Sequence, residues 1–167
     1  MIPSDHFVKF YNEIFRYLKS QGPEAVAEYF DTISRHQETH CLELFNSKGL
    51  AGMKEYWEKI WFEENCDSEL LEFTGKTYKT ISHNCPSLNK VTDNDAGACS
   101  IYCNHCPGWI LPIFTKCGFY CVYDLIGMDV PRCMKGIFTD LEEARRYREK
   151  VLKRHPGHPE LVCCNFD

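Results

Sequence analysis

Phe119-Tyr-Cys-Val-Tyr123 and Arg132-Cys-Met-Lys-Gly-Ile-Phe138, linked around Gly127-Met128-Asp129, decide the fold class of this chain. Both runs are short, rich in aromatic and β-branched residues, and bounded by turn formers, the pattern of paired strands. Immediately downstream, Thr139 with Glu142 reads as a capping box opening a helix that ends near His155-Pro156-Gly157. Upstream, Leu71, Phe73, Tyr78 and Ile81 with interspersed threonines predict one long strand or a hairpin through Gly75. The polar stretch from Ser87 to Gly97 reads as a loop, and a short helix is expected from Pro107 to about Lys116.

Further out, the first two-fifths of the chain are helical in period. Ser4-Asp5 caps a stripe of Phe7, Phe10, Tyr11, Ile14, Phe15 and Leu18. Gly22-Pro23 separates this from a second stripe, Val26, Tyr29, Phe30, Ile33, His40, Leu44 and Phe45. Gly49 then precedes a third, Leu50, Met53, Tyr56, Trp57, Ile60 and Trp61. Helices first, then strands with interleaved helices, predict an α+β fold. N-terminal helices would pack on a small, mostly antiparallel sheet with a C-terminal helix. One domain is expected, helical over 1–66 and cysteine-rich α+β over 67–167.

Composition narrows the function. The 167 residues are 44% hydrophobic and 14% aromatic, which excludes a disordered polar chain. No apolar run approaches the ~20 residues that span a bilayer. The start, Met-Ile-Pro-Ser-Asp-His, lacks the basic-then-apolar signature of a secretory signal, so a cytoplasmic protein is expected. A formal charge of −5 argues against a nucleic-acid partner and leaves a small molecule as the expected one.

Eleven cysteines are many for such a chain. In a reducing compartment they point to metal binding or thiol chemistry rather than a disulfide framework, with plain core thiols the alternative for scattered residues such as Cys41 and Cys66. The densest group is Cys99-Ser-Ile-Tyr-Cys103-Asn-His-Cys106-Pro-Gly-Trp109. Cys103 and Cys106 have the C-x2-C spacing that lets two thiolates share a metal across a tight turn. With His83-Asn-Cys85-Pro86 at an expected strand end, the candidate ligands are Cys85, Cys99, Cys103 and Cys106, for zinc, iron or an iron–sulfur cluster. Cys117, Cys121 and Cys133 are downstream thiols able to join them.

Cys85 and Cys106 each precede a proline, and proline suits a first helical turn. Cys106 is therefore also expected as an N-cap, where the helix dipole favours a thiolate nucleophile, with His105 and His83 as partner bases. Trp109, Tyr102 and Tyr120 are the expected pocket walls. His36 and His40, four apart, form a weaker second metal candidate, though a histidine within an apolar stripe is more often core. His155 and His158 read as an exposed turn, and Cys163-Cys164 as part of a packed tail.

Cys99, Cys103 and Cys106 also match the C-x3-C-x2-C cluster spacing of radical enzymes that use S-adenosylmethionine. About 60 residues follow Cys106, too few for the barrel those enzymes need. Other residues carry a different likeness. The Gly49-Leu-Ala-Gly-Met-Lys-Glu-Tyr-Trp57 segment, the strand ending in Cys85-Pro86 and the later cysteine cluster resemble the 2-amino-thiazoline-4-carboxylate hydrolase family over about residues 45–135. That resemblance implies a small α+β fold, hydrolysis of a cyclic C–N bond, and a pocket bordered by Cys85, Cys103 and Cys106. The expected function is thus a small hydrolase acting on a C–N bond of a polar substrate through a metal-activated water or, without metal, through Cys106. The alternative is a non-catalytic zinc or iron–sulfur module serving as sensor, carrier or redox partner.

Overall fold

A computed structural model describes residues 3–93 and 97–167, with side chains from residue 6 onward. Three helices come first: α1 (Pro3–Gln21), α2 (Pro23–Lys48) and α3 (Leu50–Glu63). The hairpin β1 (Asp67–Phe73) and β2 (Thr77–Asn84) leads into α4 (Pro86–Thr92) and α5 (His105–Cys117). After these come β3 (Tyr120–Asp124), β4 (Cys133–Phe138), α6 (Leu141–Leu152) and the short β5 (Val162–Cys164). The α+β expectation holds: the five strands form one antiparallel sheet in the order β1-β2-β4-β3-β5. No helix among the described residues is long and apolar enough to cross a membrane.

Register decides which residues share a face, because alternate side chains point to opposite sides. Thr80 pairs with Lys135 and Lys135 with Tyr123, while Ser82 pairs with Cys133 and Tyr78 with Ile137. These residues therefore look to one side, where α2, α3 and α5 pack around Phe45, Met53, Trp57, Ile113 and Phe114. The other side carries Lys79, Phe138, Val122 and Asp124 and is covered by α6 through Ala144 and Val151. With both faces covered, Cys121 to Asp124 are all buried, which is why β3 shows no apolar–polar alternation. Gly136 lets α6 approach, since a Cβ there would stand 2.9 Å from ring atoms of Phe138 and Tyr147.

Several local expectations change. The Ser87 stretch is not a loop throughout: Pro86 starts α4, whose Leu88 and Val91 are buried under α1. Residues 94–96 of that stretch lie outside those described. Asp140, not Thr139, caps α6, its Oδ1 accepting the Glu143 N–H at 2.9 Å. In α1, Phe7 and Phe10 are exposed and the buried face is Asn12 and Phe15. The cap expected at Ser4 and Asp5 involves side chains outside those described. On α2, His36 and His40 are both exposed, while Ser34, Cys41 and Phe45 carry the buried stripe. His155 is not in an exposed turn: its Nε2 meets Asp124 Oδ1 at 2.7 Å.

Candidate active site

The first turn of α5 builds the site. A single 3-10 turn, Tyr102–Asn104, runs directly into α5, so the helix starts at His105 with Asn104 as N-cap. Cys106 is consequently inside the first turn rather than the cap. Pro107 is tolerated beside it because N–H groups this early in a helix have no intrahelical acceptor. Gly108 lets the turn press on α2, since a Cβ there would meet the Phe30 ring at 2.5 Å. From α1, Asn12 holds the approach to this turn. Its Nδ2 donates to the Gly97 carbonyl at 2.9 Å and its Oδ1 accepts from the Cys99 N–H at 2.7 Å.

His105 is enclosed by aromatic rings: Phe15 at 5.5 Å, Tyr102 at 5.0 Å and Trp109 at 4.6 Å between centroids. Burial there lowers its pKa to about 4, so the imidazole is neutral at physiological pH. Nδ1 lies against the Tyr102 carbonyl, an acceptor only, and must carry the proton. Nε2 is then a bare acceptor, and Cys106 Sγ stands 3.3 Å from it. The tautomer needed to take a proton from the thiol is thus imposed by the backbone.

Cys106 is the only exposed cysteine of the eleven, set among otherwise buried or half-buried neighbours. Desolvation pushes it up to about 11, opposed by the charge of Lys135. Thiol and imidazole are both neutral at rest.

Three more thiols border Cys106. Cys85 is the N-cap residue of α4, and its own N–H donates to the Pro131 carbonyl at 2.6 Å. Cys103 and Cys133 complete the group: burial raises both, Cys133 to about 12, and the negative charges of neighbouring thiols add to the shift. Cys66, just beyond α3, feels Cys85, Cys106 and Lys135 and is raised to about 11, burial again being the main cause. Lys135 projects from β4 into this ring of thiols. It is 7% exposed, and its Nζ lies 3.3 Å from the centroid of the Trp57 ring.

Comparison with protein-family models, with curated proteins and with solved structures finds no match.

The residues expected from sequence divide accordingly. Cys85, Cys103, Cys106 and His105 come together. Tyr102 lies beneath them, its hydroxyl 2.7 Å from Ser87 Oγ, and Trp109 backs His105. Cys99 is instead buried among Phe15, Leu88, Val91 and Tyr102. His83 points to the opposite face of the sheet, where it pairs with Glu69 at 2.8 Å. Tyr120 is on that same opposite face, packed on Phe166. The sequence reading missed Lys135. Its signal was present, since period-2 spacing puts Lys135 on one face with Cys133 and Ile137.

Among the described residues no three His, Cys, Asp or Glu side chains are arranged so that they could hold a metal ion. Two surface hollows, of about 490 and 460 Å³, lie elsewhere. One is between the β1–β2 hairpin and α6, the other at the end of α4. Neither contains a thiol or a histidine.

Proposed function

We propose that this protein is a thiol-dependent hydrolase of a C–N bond in a small polar molecule, with Cys106 as nucleophile and His105 as its proton acceptor. The observation that carries the reading is the 3.3 Å contact between the one exposed thiol and an imidazole nitrogen kept free of its proton. The choice of a C–N bond follows the resemblance in the Gly49–Trp57 and Cys85-Pro86 segments.

Both groups are neutral at rest, so the proton moves as the bond forms rather than before it. Sγ attacks the amide or amidine carbon while its proton passes to His105 Nε2. The proton then goes from Nε2 to the departing nitrogen and the C–N bond breaks, leaving a thioester-type intermediate on Cys106. A water attacks that carbon, gives its proton to Nε2, and the proton returns to Sγ as the product leaves. Throughout, Nδ1–H remains on the Tyr102 carbonyl and steadies the imidazolium formed in each half-reaction.

The test is release of ammonia or amine from a panel of small amides, ureas and cyclic amidines, with elemental analysis of the same preparation. Activity lost in Cys106→Ser, reduced in His105→Gln and retained in metal-free protein is the expected result. Near-stoichiometric zinc or iron that disappears in Cys103→Ser together with activity would overturn the thiol mechanism in favour of a metal site.

A further inference from the structure

Among the described residues, Lys135 is a buried charge with no ion-pair partner. Nine-tenths of its surface is removed from solvent, yet no carboxylate pairs with it and no acceptor is within hydrogen-bond distance of its Nζ among the described residues. The titratable groups facing it are Cys66 from the end of α3, Cys106 from α5, Cys121 from β3 and Cys133 from its own strand. Its flanking neighbours across the sheet are Thr80 and Tyr123. Trp57 closes the remaining side. All of these are neutral at physiological pH. Of these groups Cys106 is exposed, which is the side from which a small molecule would approach Lys135.

A lysine that only bridged helices and sheet would have a counter-ion or extend its amine to bulk water, as Lys79 does through Glu72 at 2.6 Å. An apolar residue would fill the Lys135 position without the cost of desolvating an ammonium. What an apolar residue lacks is a lone pair. We propose that Lys135 is a carbonyl-capturing amine, which forms a Schiff base with a small uncharged aldehyde or ketone that approaches beside Cys106.

In that reaction the Nζ lone pair adds to the carbonyl carbon and the oxygen takes a proton, giving a carbinolamine. Loss of water then forms the C=N bond, so one amine and one carbonyl give one imine and one water. The partner is uncharged because the groups facing Lys135 are an aromatic ring, thiols and hydroxyls, with no second cation among the described residues to receive an anion. Desolvation lowers Lys135 to about pH 7, so a large share of the amine is free at neutral pH. This activity does not depend on Cys106 acting as a hydrolase.

The experiment treats the full chain with acetaldehyde and sodium cyanoborohydride at pH 7, which fixes an imine as an N-ethyl group, and maps the peptides by mass. Lys135 is expected to be ethylated at least about ten times faster than exposed lysines such as Lys59. Its rate should level off above about pH 8, while theirs continue to climb. Cys106→Ser should label as the parent does. Lys135 reacting no faster than the exposed lysines would overturn the proposal. Labelling abolished in a folded Cys106→Ser protein would also overturn it, by moving the capture step to the thiol.

Discussion

Asp124 and Lys135 stand on neighbouring strands, one on each face of the same sheet, and both are buried. Asp124 is fully engaged. Its carboxylate meets His155 at 2.7 Å and Arg154 at 2.8 Å, and it accepts the Ile126 N–H at 2.9 Å. That last bond anchors a β-branched residue at φ 59, a conformation such residues seldom adopt. Lys135 has only an aromatic face and a set of thiols. A buried charge surrounded by partners is structure, because each partner offsets part of its desolvation. A buried charge with none leaves that penalty standing, and a fold retains it where the group does something else. The contrast separates a face whose buried charge is satisfied by partners from a face whose buried charge is not.

Removing the satisfied charge has the largest expected effect. Asp124→Ala strands Arg154, His155 and the Ile126 N–H together, and is expected to cost about 3 kcal/mol in urea denaturation. A loss below about 1 kcal/mol would show that the network contributes little.

Removing the unsatisfied charge is expected to act in the opposite direction. Lys135→Met should stabilise the protein by about 1–2 kcal/mol at pH 6.5, with a smaller gain above pH 10. The sign follows from proton binding. Folded Lys135 keeps its proton only below about pH 7, whereas the unfolded chain keeps it to about 10.5. Between those values the unfolded state binds more protons, so this group makes stability rise with pH. His105, lowered to about 4 from 6.5, does the same on the acid side. The thiols oppose this in alkali. Cys66 and Cys106 near 11 and Cys133 near 12 stay protonated in the fold above their ordinary value of 9, so stability falls as pH rises past it. The parent should therefore be most stable between about pH 7 and 9. A maximum below pH 6 would contradict the burial of Lys135 and His105.

His83 sharpens the contrast from the other direction, as a titratable group on the structural face whose only partner is exposed. His83→Ala should change stability by less than about 0.5 kcal/mol and leave the reactivity of Cys106 unchanged. A fall in that reactivity would reinstate His83 as a base.

Much of the fold was legible because periodicity is local. Phe119–Tyr123 and Arg132–Phe138 declare themselves as strands by composition, and Pro23 and Gly49 divide the helices where sequence places the breaks. The α4 turn escaped because its only apolar residues, Leu88 and Val91, sit in a polar stretch too short to show a period. Phe7 and Phe10 misled in the opposite sense, since spacing shows which residues share a helix face but not which face is covered. In the site, Cys85, Cys103 and Cys106 were legible from spacing and from the prolines that follow two of them. The separation of Cys99 and His83 from the rest was not, because it depends on how α1 clamps residues 97–99 and on which side of β2 faces the helices. Lys135 was passed over because a lone lysine in a strand ordinarily faces water.

If Cys106 is the nucleophile, it is the most reactive thiol of the chain. Native protein treated with limiting iodoacetamide and mapped cysteine by cysteine tests it directly. The account predicts that Cys106 is alkylated first, about tenfold or more ahead of Cys66, Cys85, Cys103 and Cys133, and that His105→Gln removes this lead. Equal labelling of the neighbouring thiols, or a Cys106 that remains unmodified while they react, would contradict it.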